Sequence, residues 1–272
     1  MTSHDAVNLV RKIFQTRKVG HIGTLDPAAT GVLPIAIGQA TKFIEYLDNC
    51  DKTYRAEILF GVETDSGDVT GKIIRSTENF KMPSLDELQA SAKNFTGQIE
   101  QSPPKFSAIK INGRKAYELA RKNIKFEMPR RIVTISCFEI LSVAENFITA
   151  EVDCSKGTYI RSLAADFGES FNLPTTLKNL QRIRVGKFHI DDAVTIDALK
   201  NLGEGALKPI DACIDFESFN LPPRRLKAYC NGLPTNISHA DAKVKVYCDG
   251  KFLGVGKINR GELRSEKILL AF

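Results

Sequence analysis

Two stretches of strand-like sequence follow one another with only a short turn between them, and they constrain the fold more than any other feature. In residues 147–154, every second residue from Ile148 to Cys154 is apolar or small, which is the period of a strand with one buried face. Residues 132–143 precede them at hairpin distance. Because strand patterns adjoin without a helix between them, we predict an α+β fold with a mixed, largely antiparallel sheet flanked by helices.

Other patterns predict the elements around this hairpin. Residues 53–60 read as a strand, and the turn signals at 65–68 predict 70–75 as its partner. Four helices are expected: one after Thr2 or Ser3, one from about Gln39 to Leu47, one opened by Ser84 and ending near Phe95, and one that carries Arg161 in its first turn.

The composition changes near residues 219–223, where Pro222 and Pro223 predict a linker. Beyond it, two apolar runs flank Asp249-Gly250, which is a strong hairpin signal. We therefore expect a large domain over residues 1–218 and a small β-rich domain over residues 219–272.

Positive charge is concentrated in two segments. Residues 105–131 hold nine Lys/Arg against two Asp/Glu, and residues 220–272 hold ten against four, whereas the rest of the chain holds 19 against 26. Basic segments on a mildly acidic body are the footprint of a protein that meets a polyanion along defined surfaces. A solvated helix face is the alternative for either segment alone.

Several classes of protein are disfavoured. The longest stretch without a charge, residues 27–41, has 15 residues, too few for a membrane-spanning helix, and the first dozen residues lack the apolar core of a secretory signal. The six cysteines form no CxxC pair, and the four histidines complete no metal-ligand spacing. We expect a cytoplasmic protein with reduced thiols, no metal and no membrane partner.

A glycine-rich loop at residues 20–31, GHIGTLDPAATG, is the strongest candidate for a site. It lacks the GxxxxGK[ST] pattern of a phosphate loop and the GxSxG and HExxH patterns of hydrolases and zinc proteases. What remains is one carboxylate, Asp26, before Pro27. On its residues alone Asp26 is more readily an Asx-turn or cap residue than a catalytic one, and a buried carboxylate would need a cationic partner that the loop does not identify.

The loop and its continuation, GHIGTLDPAATGVLPIAIGQATKF, resemble the signature of the bacterial tRNA pseudouridine synthase B family. Three further stretches match that family in order: KTYRA from Lys52, CSKGTYIRSL from Cys154 and LQRIRVG from Leu180. The stretch SPPKFSAIK from Ser102, continued by GRKAY from Gly113, resembles its RNA-gripping thumb loop, which would span about 102–131.

The resemblance implies a pseudouridine synthase fold, a PUA-like RNA-binding domain at the C-terminus and the isomerisation of uridine 55 in the tRNA T loop. It implies Asp26 as nucleophile, Tyr54 stacked on a flipped uracil, and Arg161 as the partner of Asp26. The other implied substrate-binding residues are Tyr159 and Leu180 around the base, His21 near its vacated position, and Lys105, Lys110, Arg114 and Lys115 on the thumb.

An isomerisation of this kind needs no redox cofactor, metal or cosubstrate, so no cofactor is expected. The partner implied is the T stem-loop of tRNA, bound by a monomer without a guide RNA. Whether Asp26 adds to ribose C1′, adds to uracil C6 or promotes elimination to a glycal stays open from the residues alone.

Two other functions remain as alternatives: a guide-RNA-dependent synthase, which shares the GTLDP loop, and an RNA chaperone that folds tRNA with catalysis secondary.

The chain also departs from the family at its start, because the usual first strand before the Met-Thr-Ser helix start is missing. We expect that the natural start lies upstream of Met1.

Overall fold

The structure, a computed structural model, describes residues 1–48 and 50–269. Its contacts divide the chain into two compact units. The first comprises the described residues of Met1–Thr24, Leu33–Asn49 and Val194–Phe272, and the second comprises Leu25–Val32 and Cys50–Ala193. The division into functional domains at residues 218 and 219 stays a prediction.

The strands of the described residues are β1 Val19–His21, β2 Thr30–Gly31, β3 Ile35–Ile37, β4 Lys52–Phe60, β5 Val62–Thr64, β6 Ile73–Ser76, β7 Gly97–Gln101, β8 Lys110–Ile111, β9 Arg114–Lys115, β10 Arg131–Val143, β11 Phe147–Cys154, β12 Thr175–Val185, β13 Phe188–His189, β14 Glu217–Asn220, β15 Thr235–Asn236, β16 Ala242–Cys248, β17 Lys251–Asn259 and β18 Glu262–Ile268.

The α-helices of the same residues are α1 Ser3–Ile13, α2 Ile44–Leu47, α3 Leu85–Asn94, α4 Ala116–Arg121, α5 Ile160–Glu169, α6 Ile196–Leu202, α7 Ile210–Cys213 and α8 Leu226–Cys230. Short 3₁₀ helices span Gly38–Phe43, Ile190–Asp192, Gly203–Ala206 and Pro223–Arg225.

The second unit is built on the predicted sheet. Its strands run in the order β13-β12-β4-β11-β10-β7, with β2 added to β12. Every pairing is antiparallel except that of β2 with β12. The mixed, largely antiparallel sheet and the hairpin of β10 and β11 are therefore confirmed. Helices α3 and α5 cover one face, where Leu88, Leu163 and Phe167 are buried against Ile58 and Ile148.

The predicted pairing of residues 70–75 with the strand at 53–60 is wrong. β6 pairs with β5, in a separate two-stranded ribbon, while β4 lies between β11 and β12. The turn at residues 65–68 was predicted correctly, but the strand that pairs with β6 is β5 and not the predicted strand at 53–60. The edges of β4 are occupied by strands that come about 90 and 120 residues later in the chain, and hydrophobic alternation does not specify such distant pairings.

Most helix predictions are confirmed. Thr2 caps α1 through a capping box with Asp5, and Ser84 caps α3 through another with Glu87, because each side chain satisfies backbone N–H groups that the first turn leaves unpaired. Arg161 lies in the first turn of α5. The helix expected over residues 39–47 is α-helical only in its last turn, α2, and its first part is a 3₁₀ helix.

The first unit contains a five-stranded sheet in the order β14-β16-β17-β18-β15. The hairpin predicted around Asp249-Gly250 is confirmed as β16 and β17, and its buried face packs around Val246, Leu253 and Tyr229. The linker expected at residues 219–223 is wrong at its start, because Phe219 and Asn220 belong to β14, which pairs in parallel with β16.

Within the described residues, no helix is long and apolar enough to cross a membrane. The same residues contain no group of three or more His, Cys, Asp and Glu side chains placed to hold a metal ion.

Candidate active site

Asp26 stands at the start of a tight turn in the second unit. The amide of Ala29 donates to the Asp26 carbonyl at 2.9 Å, and Pro27, at the second turn position, has the fixed φ that such a turn favours. The Asp26 side chain is 35 % exposed. Its carboxylate is therefore held at the surface of a fixed turn, where a substrate can reach it.

The loop that carries Asp26 is joined to β12 immediately after this turn. Val32 donates its amide to the Arg182 carbonyl at 2.8 Å, and Arg182 Nε donates back to the Val32 carbonyl at 2.9 Å. Gly31 has a φ of +105°, and a Cβ there would overlap the Arg182 carbonyl oxygen. Only glycine allows this approach, which explains why the loop is glycine-rich at this end.

Arg161 is the cationic partner that the isolated loop lacked. Its Nε lies 2.8 Å from Asp26 Oδ2, and its side chain is only 5 % exposed. The contact is a close ion pair rather than a well-aligned hydrogen bond. The structure thus brings together the two groups that the resemblance paired.

The other guanidinium nitrogens are held by neighbouring loops. Nη1 donates to the Ser66 carbonyl at 2.8 Å, and Nη2 donates to the Phe106 carbonyl at 3.1 Å. Asp68 places Oδ2 at 3.9 Å from Nη1, and its Oδ1 accepts from Ser66 Oγ and from the Thr70 amide. The turn at residues 65–68 therefore forms a cradle for the Arg161 guanidinium. The local sequence did not indicate this role.

Tyr54 belongs to the same site. It lies on β4, opposite Val152 of β11 and Arg182 of β12, and is 9 % exposed. Burial raises the pKa of Tyr54 to about 12; the charge of Asp26 adds to the rise, and that of Arg182 opposes it. The phenol is therefore neutral at physiological pH, able to donate a proton or to stack but not to act as a phenolate base.

The remaining predicted pocket residues are placed separately. Tyr159 is the N-cap residue of α5, two positions before Arg161. Leu180, on β12 opposite Ala56, lines a cleft of about 230 Å³ with Ala28 and Thr30. His21 ends β1 in the first unit, where it pairs with Ile35.

The four predicted thumb residues are exposed. Lys110 of β8 pairs with Lys115 of β9, and Arg114 pairs with Ile111, in a hairpin whose turn is Asn112-Gly113. Like charges directly opposite each other in a hairpin are destabilising, so the arrangement favours an anionic partner. Lys105 lies just before this hairpin in the chain.

Two family models match the chain. One, described as the N-terminal domain of TruB family pseudouridylate synthases, covers residues 11–160, and the other, the C-terminal domain of pseudouridine synthase II TruB, covers residues 218–269. The chain belongs to the TruB family of pseudouridylate synthases. Like other members of this family it is an isomerase.

Three relatives are similar over nearly their full length. A tRNA pseudouridine synthase B from Clostridioides difficile is 40% identical over 96% of this chain and 91% of its own. Proteins of the same name from Caldanaerobacter subterraneus and Alkaliphilus oremlandii are 39% and 40% identical, over 98% and 99% of this chain and 95% and 93% of theirs.

Solved structures agree on the fold. A Cbf5-Nop10-Gar1 complex contains a chain with a TM-score of 0.74 and 22% identity, over 99% of this chain and 82% of that one. An H/ACA RNP bound to a substrate RNA containing 2′-deoxyuridine gives a TM-score of 0.72 and 19% identity, over 100% and 82%. At these identities the likeness concerns the fold alone, and it confirms the predicted pseudouridine synthase fold.

Sequence reasoning missed three contributors to the site: Arg182, Asp68 and Gln101. Arg182 was quoted within the LQRIRVG stretch without a role, yet its side chain is wholly buried. No strand was predicted over residues 175–185, so the burial of Arg182 had no signal in the sequence analysis. Asp68 was identified only as a turn residue, and Gln101 was given no role.

Proposed function

We propose that this TruB family member isomerises uridine 55 in the T loop of tRNA to pseudouridine, with Asp26 as the nucleophile. The observation that carries the proposal is the ion pair of Asp26 with the buried guanidinium of Arg161, at 2.8 Å. Tyr54 of β4 belongs to the same site, since the charge of Asp26 contributes to its raised pKa. Relatives about 40% identical are tRNA pseudouridine synthases B, which supports tRNA as the substrate.

In this proposal each member of the site has one task. Arg161 pairs with Asp26 and fixes the direction of its free oxygen. Tyr54 stacks on the extruded uracil and, as a neutral phenol, assists the transfer of the proton from C5 to nitrogen. Tyr159 and Leu180 enclose the base. His21 contacts the RNA T loop near the position that the base has left.

Attack on ribose C1′, addition to uracil C6 and elimination to a glycal all require the same ionised carboxylate. In each route the glycosidic C–N bond breaks, the ring turns, and a C–C bond forms at C5, whose proton passes to nitrogen. Substrate and product are isomers, so the reaction balances without a cofactor. Extruding the base costs a few kcal/mol, and stacking on an aromatic ring returns roughly 1 to 3 kcal/mol.

Binding in this proposal comes from two basic regions. The thumb presents Lys105, Lys110, Arg114 and Lys115 to RNA phosphates, and residues 219–272 act as a PUA-like RNA-binding domain beside the catalytic domain of residues 1–218. We propose that the enzyme works as a cytoplasmic monomer and without a guide RNA. An RNA chaperone would use the same basic surfaces, but it would have no use for the ion pair of Asp26 and Arg161.

The test is to incubate the purified chain with a T stem-loop RNA and to map pseudouridine by chemical probing. We expect complete conversion at position 55 without added RNA or cofactor, and none in an RNA whose uridine 55 is replaced by cytidine. Conversion that occurs only with an added guide would contradict the proposal. Accelerated tRNA folding without any pseudouridine would support the chaperone instead.

A further inference from the structure

The base of the thumb contacts the residue that starts the helix of Arg161. The thumb leaves the sheet after Gln101, the last residue of β7, and returns at Arg131, the first residue of β10. These two residues are register partners. Both reach Tyr159, the N-cap residue of α5, so one pair of residues connects the two ends of the thumb to the start of this helix.

Gln101 holds the backbone of Tyr159 from both sides. Its Oε1 accepts from the Tyr159 amide at 2.8 Å, and its Nε2 donates to the Tyr159 carbonyl at 3.0 Å. The Gln101 side chain is wholly buried. A buried amide is retained at such a position only if its donor and acceptor are both satisfied, and here the backbone N–H and C=O of one residue, Tyr159, satisfy them.

Arg131 holds the ring of the same residue. Its guanidinium lies 4.8 Å from the centre of the Tyr159 ring, in cation–π geometry. Arg131 Nε and Nη2 are buried without a hydrogen-bond partner among the described residues, so the ring is the contact that the structure shows for this group.

Two further contacts continue this connection into the first turn of α5. Ser162 Oγ donates to the Ser102 carbonyl at 2.7 Å, and Arg161 Nη2 donates to the Phe106 carbonyl. The carbonyls of Ser102 and Phe106 in the thumb thus accept hydrogen bonds from two consecutive residues in the first turn of α5. Displacing Tyr159 would displace Arg161 relative to Asp26, and errors of about 1 Å in such geometry cost up to about 100-fold in rate.

We propose that Gln101 and Arg131 are positioning residues: they clamp Tyr159 at the base of the thumb and thereby set the geometry of the ion pair between Arg161 and Asp26. The inference rests on the proposed function for its kinetic consequence. It assigns the base of the thumb a task distinct from gripping RNA, because neither residue needs to touch the substrate to perform it.

The test compares Gln101→Met, which loses both hydrogen bonds, with Gln101→Glu, which keeps the acceptor for the Tyr159 amide. The control is Gln98→Ala, an exposed glutamine on the same strand. With T stem-loop RNA in single turnover, we expect the saturated rate to fall at least about tenfold for Gln101→Met and less for Gln101→Glu. The RNA dissociation constant should change by less than about threefold, since phosphate contacts are untouched.

A folded Gln101→Met variant with the saturated rate of the wild type would overturn the inference. If that variant does not fold, Arg131→Met decides: it should lower the saturated rate in the wild-type background and have no further effect in a Tyr159→Leu background. Equal losses in both backgrounds would show that Arg131 does not act through Tyr159.

Amide hydrogen exchange without RNA separates this inference from the proposed function. The Tyr159 amide should be protected in the wild type, exchange at least about tenfold faster in Gln101→Met, and stay protected in Gln101→Glu, which keeps its acceptor. Unchanged exchange would overturn the clamp. A wild-type chain that forms no pseudouridine would instead overturn the proposed function and leave the exchange result standing.

Discussion

The loop of Asp26 and the tip of the thumb, residues 107–121, lack long regular elements, yet they are held in opposite ways. The first is bonded to β12 in both directions through Val32 and Arg182, and its carboxylate meets a buried guanidinium. The second consists of a hairpin with two residues in each strand, β8 and β9, and the short helix α4. Its basic side chains are exposed. Chemistry requires a fixed geometry, whereas attraction to a polyanion requires only charge within reach.

The comparison is tested most severely at Asp26. Asp26→Asn keeps the shape of the turn but removes the nucleophile, so we expect the rate of pseudouridine formation to fall by about 1000-fold or more. Affinity for T stem-loop RNA should stay within about tenfold. Single-turnover kinetics and filter binding measure the two effects, with Asp197→Asn, an exposed aspartate of α6, as the control. Appreciable residual turnover would remove Asp26 from its role.

Two glycines test the backbone side of the comparison. Gly31 and Gly113 both have positive φ, at +105° and +83°, but a Cβ would overlap β12 only at Gly31 and meets open space at Gly113. Gly31→Ala should cost roughly 3 kcal/mol or more in unfolding free energy, and Gly113→Ala about 1 kcal/mol. Urea unfolding measures both. Equal costs would mean that the contact between Gly31 and Arg182 is not what holds the loop.

The charges of the thumb should affect binding rather than chemistry. Replacing Lys105, Lys110, Arg114, Lys115 and Arg121 with glutamine should weaken RNA affinity by about 10- to 100-fold and flatten the dependence of log affinity on log salt. Binding titrations over a range of salt concentrations measure the slope. A slope equal to that of the wild type would show that these side chains form a solvated face and not a grip.

The smallest effect concerns the ionisation of Tyr54. Its pKa is raised from 10.0 to about 12 in the folded chain, so the stability that its protonated form contributes is complete below pH 10 and is lost as the pH rises from 10 to 12. Relative to Tyr54→Phe, the wild type should lose about 1 kcal/mol between about pH 9 and pH 11. Parallel losses in both proteins would contradict the shift.

Local patterns predicted much of the fold because they act within short segments. The hairpin of residues 131–154, the capped helices α1 and α3 and the place of Arg161 in α5 all follow from alternation, capping residues and helical spacing. The ribbon of β5 and β6 and the parallel pairing of β14 were missed, because pairing partners are chosen by tertiary packing and not by the strand's own residues.

The same distinction between local patterns and long-range contacts applies to the residues of the candidate site. Asp26, Tyr54 and Arg161 were identified through a resemblance in motif order, whereas residues alone had left Asp26 as a turn residue. The supports of these groups, the cradle at Ser66 and Asp68 and the buried side chain of Arg182, depend on contacts between segments far apart in the chain. No spacing rule relates those segments.

We propose that catalysis depends on the fixed ion pair of Asp26 and Arg161, and that the exposed thumb contributes to RNA binding and not to the chemical step. The most direct test is the single-turnover rate at saturating enzyme for the variant with all five thumb charges replaced, measured beside Asp26→Asn on one T stem-loop RNA. We expect saturation to restore the thumb variant to within about tenfold of the wild-type rate but to leave Asp26→Asn inactive. A thumb variant that stays as slow as Asp26→Asn at saturation would contradict it.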